Sequence, residues 1–310
     1  VRFRVLMLTF VLTGIVPVSA QQPIPATTAG AIADATRLMD QVAEKVWPGW
    51  GTAPTQLLLV TDSTEYFLPT PRTGAVAWRR PRVFPPTFLA TFPAVDGIPT
   101  IVIGTPERTG LPRDRWILTV LHEHFHQFEY TRPDYYTRLA ALGLARGDTT
   151  GMWALNFPFP YDSAPIAAAV KRWALAMRVA LQASQDTGWM DVRPVRAARM
   201  ALDSLLAPDD KRYLDFQLWQ EGVPRWIELA AARAGAHAGL VSAETVAWQE
   251  RRLLADLDSI DLSQQRRVVV YALGAAEAEL LEREGTDWKG RYFERMFELD
   301  GPAARRPASQ

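Results

Sequence analysis

Two rhythms of apolar and polar residues divide the chain. Between Ala31 and Val46, the apolar Ile32, Ala35, Leu38, Met39, Val42 and Val46 recur at helical spacing, and Pro48-Gly49 ends the run. The rhythm then shortens. Gln56–Thr61 and Thr64–Leu68 are β-prone runs on either side of Asp62-Ser63, which predicts a hairpin. Thr87–Phe92 and Pro99–Gly104 are again strand-like, separated by Asp96-Gly97. The Pro- and Arg-rich stretch from Pro69 to Pro86 is expected to be an exposed loop, and residues 21–28 a linker. From Asp114 onward the helical period dominates. It predicts helices over about 114–130, 134–146, 163–186, 194–206, 217–234, 242–257, 263–284 and 287–298. Ser242 and Ser263 are expected N-caps, Gly285 an expected C-terminal stop, and 147–162 a loop rich in Gly, Pro and aromatic residues. The pattern is that of an α+β protein: a small sheet with one helix, then a mainly helical part.

Composition narrows the partners. Lys plus Arg and Asp plus Glu both number 34, so the net charge is zero and nothing suggests nucleic-acid binding. Arg2 and Arg4, the apolar Val5–Val16, and the small Val18-Ser19-Ala20 before Gln21 read as a cleavable signal peptide over residues 1–20. The mature chain is then expected to be secreted or periplasmic, with no membrane span. Residues 21–130 are expected to form an N-terminal α/β lobe, 131–300 a helical lobe, and 301–310 a disordered tail. The chain has no cysteine, so any transition-metal site must use His, Asp or Glu, and a lipid anchor on cysteine is impossible.

Three of the four histidines fall in His122-Glu123-His124-Phe125-His126. Residues 122, 123 and 126 satisfy H-E-x-x-H. On a helix, residues four apart share one face with Cβ atoms ~5–6 Å apart, close enough for two imidazoles to reach one zinc ion. Glu123 is one residue round, where a carboxylate can take a proton from metal-bound water. His124 is rotated by ~200° from His122 and cannot share that metal; a core or supporting position is expected. Trp116, Ile117, Val120, Leu121, Phe125 and Phe128 make the helix apolar, so its polar residues need a reason to be there.

The third ligand is open on spacing alone. Glu129 and Arg132 stand where the longer metzincin motif needs Gly and His, which excludes that pattern and leaves a carboxylate or His237. The string Leu218-Trp219-Gln220-Glu221-Gly222-Val223-Pro224-Arg225-Trp226-Ile227-Glu228 resembles the gluzincin metallopeptidases, particularly the aminopeptidase-N-like branch, with its Leu-Trp, Glu-Gly, aromatic and second Glu in the same order. The resemblance implies Glu221 as the third zinc ligand. It matches Glu228 to the family's later glutamate, which could support the site or be a solvated helix charge. Tyr271-Ala272-Leu273-Gly274-Ala275 resembles the Tyr-x-x-Gly-Ala segment of the same branch, and implies that Tyr271 stabilises the oxyanion. His237 is the rival for that role.

The chain departs from the branch in three places. Residues 127–220 make a long gap before Glu221, Pro224 sits just after that ligand, and the amine-anchoring Gly-x-Met-Glu-Asn segment is absent. What the resemblance implies is a zincin-like fold, and a zinc hydrolase acting on a peptide or protein substrate. The strand Pro99–Gly104 is expected to line the cleft, and Arg225 could meet a substrate carboxylate, although a salt-bridged arginine serves as well. The same site could act on a non-peptide ester or amide. An inactive binding protein of the same fold is disfavoured by the intact Glu123, which metal binding alone does not need.

Overall fold

The computed structural model describes residues 16–17, 24–69 and 75–299. The expected tail at 301–310, and the expected signal peptide apart from Val16–Pro17, lie outside them. The chain forms two compact units. The first comprises the described residues up to Tyr135 together with Ile227–Val246, and the second comprises Tyr136–Trp226 and Ala247 onward. The architecture is α+β.

In the first unit, helix α1 (Ala26–Val46) precedes a mixed sheet. The helix begins at Ala26, inside the expected linker, because Thr28 and Ala31 are buried and extend its apolar face by a turn. The strands are β1 (Val16–Pro17), β2 (Leu57–Val60), β3 (Thr64–Leu68), β4 (Trp78–Pro81), β5 (Leu89–Val95) and β6 (Ile98–Gly104). Five main strands lie in the order β4-β3-β2-β6-β5, with the two-residue β1 beside β4. Both hairpins form where the turn residues place them. The β5–β6 turn has Asp96 at φ 52° and Gly97 at φ 72°, the left-handed pair that a two-residue hairpin requires. Strand β4 corrects the expected loop at 69–86. Its Arg80 pairs with the buried Glu65 at 2.7 Å, so a charged stretch earns its place in the sheet by neutralising a carboxylate of β3. Strand β6 is an inner strand, parallel to β2 on one side and antiparallel to β5 on the other. The sheet edge beside it therefore belongs to β5, not to Pro99–Gly104.

One sheet face buries Leu58, Val60, Phe67 and Val102, with Phe84, Phe88 and Phe92 packed against them. By the alternation of strands, Leu57, Leu59, Ile101 and Ile103 face the other way, toward the helix α3 (Arg113–Tyr130) that follows the short α2 (Pro106–Thr109), and α1 packs on α3. Helix α3 is tied to the sheet by Trp116 Nε1 donating to Gly104 O at 2.8 Å, and by Gln127 Nε2 donating to Gln56 O and Pro99 O at 2.8 and 2.9 Å.

The rest of the chain is helical: α4 (Tyr135–Ala141), α5 (Trp153–Asn156), α6 (Ala164–Thr187), α7 (Arg193–Asp203), α8 (Pro208–Gln217), a π-helical turn (Leu218–Gly222), α9 (Val223–His237), α10 (Ala243–Asp258), α11 (Leu262–Gln265), α12 (Val269–Arg283) and α13 (Trp288–Tyr292), with most of α9 and the start of α10 belonging to the first unit and the others to the second. The expected helix at 217–234 is the later part of a longer run that starts at Pro208. The expected 263–284 helix is broken: a 3-10 turn over Arg266–Val268 separates α11 from α12, and Asp261 rather than Ser263 supplies the cap, accepting from Ser263 N and Gln264 N. Ser242 does cap α10, accepting from Thr245 N at 3.1 Å. The 147–162 stretch is a loop with the one-turn α5 inside it, and Ala154 O receives bonds from Tyr213 and Gln217 of α8.

Candidate metal centre

Residues 120–129 of α3 are all buried, and six of these ten are polar: His122, Glu123, His124, His126, Gln127 and Glu129. Burial of so many polar groups is costly unless each is matched. The matches define the site. His122 Nδ1 lies 3.1 Å from Glu228 Oε1, and His126 Nδ1 lies 2.8 Å from Glu129 Oε2. With Nδ1 carrying the hydrogen toward a carboxylate, each imidazole keeps its lone pair on Nε2, the form a metal ligand needs. The two rings are 5.0 Å apart between centroids. Glu123 is held by Thr91 of β5, whose Oγ1 is 2.9 Å from both Glu123 Oε2 and Glu123 O.

His124 points elsewhere. It is buried against Trp50, with ring centroids 5.7 Å apart. Burial lowers its pKa to about 4, against a smaller opposing pull from the main chain of Ala53 and Pro54. Neither ring nitrogen has a hydrogen bond of good geometry, so those main-chain contacts are weak ones. His124 is a neutral core histidine, as its position on the helix predicts.

Glu221 lies in the π-helical turn that runs without a break into α9. A π turn shifts the bonding register by one residue, which accommodates Pro224, a residue with no N–H to give. The turn also lets two backbones touch. A β-carbon on Gly222 would come within 2.4 Å of Gly274 Cα, and one on Gly274 within 2.6 Å of Leu218 O. Gly222 and Gly274 are therefore glycine for the same reason: the π turn packs directly on α12. That contact also places Tyr271, one turn before Gly274, in the neighbourhood of the π turn. Arg267 links the two, with Nη1 3.3 Å from Glu221 Oε1 and a side-chain hydrogen bond to Tyr271.

One ligand atom each from His122, His126 and Glu221 lie within 4.8 Å of one another, and this group could hold a metal ion. The donor set of two imidazoles and a carboxylate fits a borderline divalent ion. Among the described residues this is the one such group. His237 is exposed at the end of α9 and is not part of it. Glu228 takes the supporting position on His122. Arg225 is buried and donates to Gln249 Oε1 at 3.1 Å, so it is a packed arginine and not one that faces a substrate.

Three residues of the site were not foreseen from the sequence. Glu129 was legible, since it follows His126 by three positions on the same helix. Thr91 and Arg267 carry no local signal, because both depend on which elements meet in space. Comparison with models of known families, with curated proteins and with solved structures returns no match.

Proposed function

We propose that the protein is a zinc-dependent hydrolase of gluzincin type, acting on peptide bonds. The observation that carries this reading is the pair of buried carboxylates, Glu228 and Glu129, each on the Nδ1 of one motif histidine. A histidine serving only as core filler has no need of a buried anion on its far nitrogen, whereas a metal-binding histidine is oriented and made more basic by it. The small mixed sheet beneath α3 and the long helical run that carries Glu221 support a zincin-like arrangement.

In this reading His122, His126 and Glu221 hold zinc, which when bound polarises a carbonyl and lowers the pKa of its water to near neutrality. Glu123 accepts the water's proton and returns it to the leaving amine. Thr91 keeps Glu123 in one rotamer by donating to Oε2. Tyr271, steered by Arg267, donates its hydroxyl to the developing oxyanion. An extended substrate has the outer edge of β5, the end of the sheet among the described residues, available for main-chain bonding, beside the Thr91–Glu123 contact. The expected signal peptide fits a secreted or periplasmic enzyme. No helix among the described residues is long and apolar enough to cross a membrane.

Zinc content of the purified protein tests the reading. One zinc per chain is expected, with at least about a hundredfold weaker binding in Glu221→Ala, which removes one of three ligands. A folded parent that takes up no zinc would refute it.

A further inference from the structure

The residue that meets the ligand carboxylate is set by a strained turn. Arg266 has φ 49° and ψ −127°, a conformation that residues with a side chain rarely adopt and that clusters at functional sites. The turn sends two consecutive arginines in different directions. Arg266 lies over the Tyr161 ring at 4.7 Å and pairs with Asp162 at 3.5 Å. Arg267 turns inward, placing Nη1 3.3 Å from Gln217 Oε1 and 3.3 Å from Glu221 Oε1, with its guanidinium 5.7 Å from the Tyr271 ring centre. Gln217 is itself fixed, because its Nε2 donates to Ala154 O at 2.8 Å. The amide oxygen is thereby turned toward the arginine. Every one of these residues belongs to the second unit.

Gln217 and Glu221 are both met by one nitrogen, and Tyr271 takes a further bond, of a fork that carries five N–H donors. The side chain keeps 22% of its surface exposed. Glu221 is also the residue whose negative charge a bound metal would draw away, which leaves the guanidinium charge less fully offset when the site is loaded. A planar, permanently charged fork of this kind matches a carboxylate.

We propose that Arg267 is a substrate-binding residue that receives a free carboxylate next to the bond to be cleaved, so that the preferred substrates are peptides hydrolysed at their C-terminal residue. This rests on the zinc-hydrolase reading. Tyr271 and Arg267 then divide the work: the phenol serves the oxyanion and the guanidinium serves the carboxylate of the departing residue. Gln217 and the strained turn at Arg266 keep the guanidinium from following its own flexible stem into solvent.

The test is calorimetric titration of the full chain under saturating zinc, with two probes: a benzyl-substituted succinic monohydroxamic acid and its primary amide. The hydroxamate addresses the metal in both, and the probes differ only in the carboxylate. The acid is expected to bind at least about tenfold tighter than the amide. Arg267→Gln is expected to bind both equally, with the zinc stoichiometry as in the parent. Arg267→Lys, which keeps the charge and loses the fork, is expected to retain part of the preference, and serves if the Gln variant does not fold. Equal binding of acid and amide by the parent, failure of a zinc-loaded parent to bind either probe, or an undiminished preference in the variants would overturn the proposal. A parent that binds no zinc would instead show that the underlying reading has failed.

Discussion

Buried carboxylates of the second unit such as Asp215 are matched by basic side chains, whereas Glu129 and Glu228, beside the motif histidines of α3, are matched by imidazoles. In the second unit, Arg199 pairs with Asp203 at 2.8 Å and with Asp215, Lys211 adds a bond to Asp215 at 2.5 Å, and Glu277 lies 3.9 Å from Arg199. Arg199 also sits over the Trp173 ring at 4.9 Å. This cluster serves packing: its cations and anions neutralise one another within a helical core. Around α3, Glu129 and Glu228 are as deeply buried, yet each meets the Nδ1 of an imidazole whose other nitrogen is left to act as a ligand. Both clusters bury carboxylates to a similar depth. The partner, not the burial, separates a structural carboxylate from one that prepares a metal ligand.

The sharpest way to break this comparison is at Glu123. Glu123→Gln keeps the size and the Thr91 contact but removes the proposed base. Peptide hydrolysis is expected to fall by about 10²–10⁴-fold while zinc stoichiometry stays that of the parent. Loss of the metal together with the activity would place Glu123 among the structural carboxylates.

The second unit offers the opposite case. Burial pushes the Glu277 carboxyl up to about 7, against the pull of Arg199. Because the folded-state pKa lies above that of the unfolded chain, the fold binds the extra proton between about pH 4.5 and 7, and stability falls as pH rises through that window. Glu277→Gln is therefore expected to be more stable than the parent at pH 8, by up to about 3 kcal/mol, and no more stable at pH 4. Thermal unfolding at the two pH values checks this. An equal effect at both would mean that the cluster is held by packing alone.

The smallest expected effect sharpens the role of the imidazole partners. Glu129→Gln keeps an acceptor on His126 Nδ1 and removes the charge. Zinc affinity is expected to weaken by about 10–100-fold, with little change in the melting temperature of the metal-free protein. Competition with a chromophoric chelator measures the first, and a thermal melt the second. A large drop in the metal-free melt, with zinc affinity unchanged, would make Glu129 a structural residue like Asp215.

Much of the fold was legible because its periodicities are local. The β2–β3 and β5–β6 hairpins follow from Asp62-Ser63 and Asp96-Gly97, and α3 from the apolar residues around the motif. Local pattern failed where a remote partner decided the outcome. Strand β4 hides in an Arg-rich stretch because its Arg80 answers a buried glutamate that lies fifteen residues earlier, at Glu65. The break before α12 hides because Arg266 adopts a conformation that no propensity favours.

The candidate site divides along the same line. The sequence by itself determined that His122 and His126 would share one face of a helix, since four residues are close to one helical turn, that Glu123 would lie one residue round from His122, and that His124 would point away from them. Resemblance alone proposed Glu221. Tertiary structure decided that Glu221 joins His122 and His126 in one group, that Glu228 supports a histidine while His237 stays at an exposed helix end, and that Arg267 meets the Glu221 carboxylate while Arg225 packs on Gln249. Helical spacing can place residues on a face within a single element. Which faces meet depends on close approaches such as Gly222 against Gly274, whose two sides are far apart in the chain and leave no periodic trace in it.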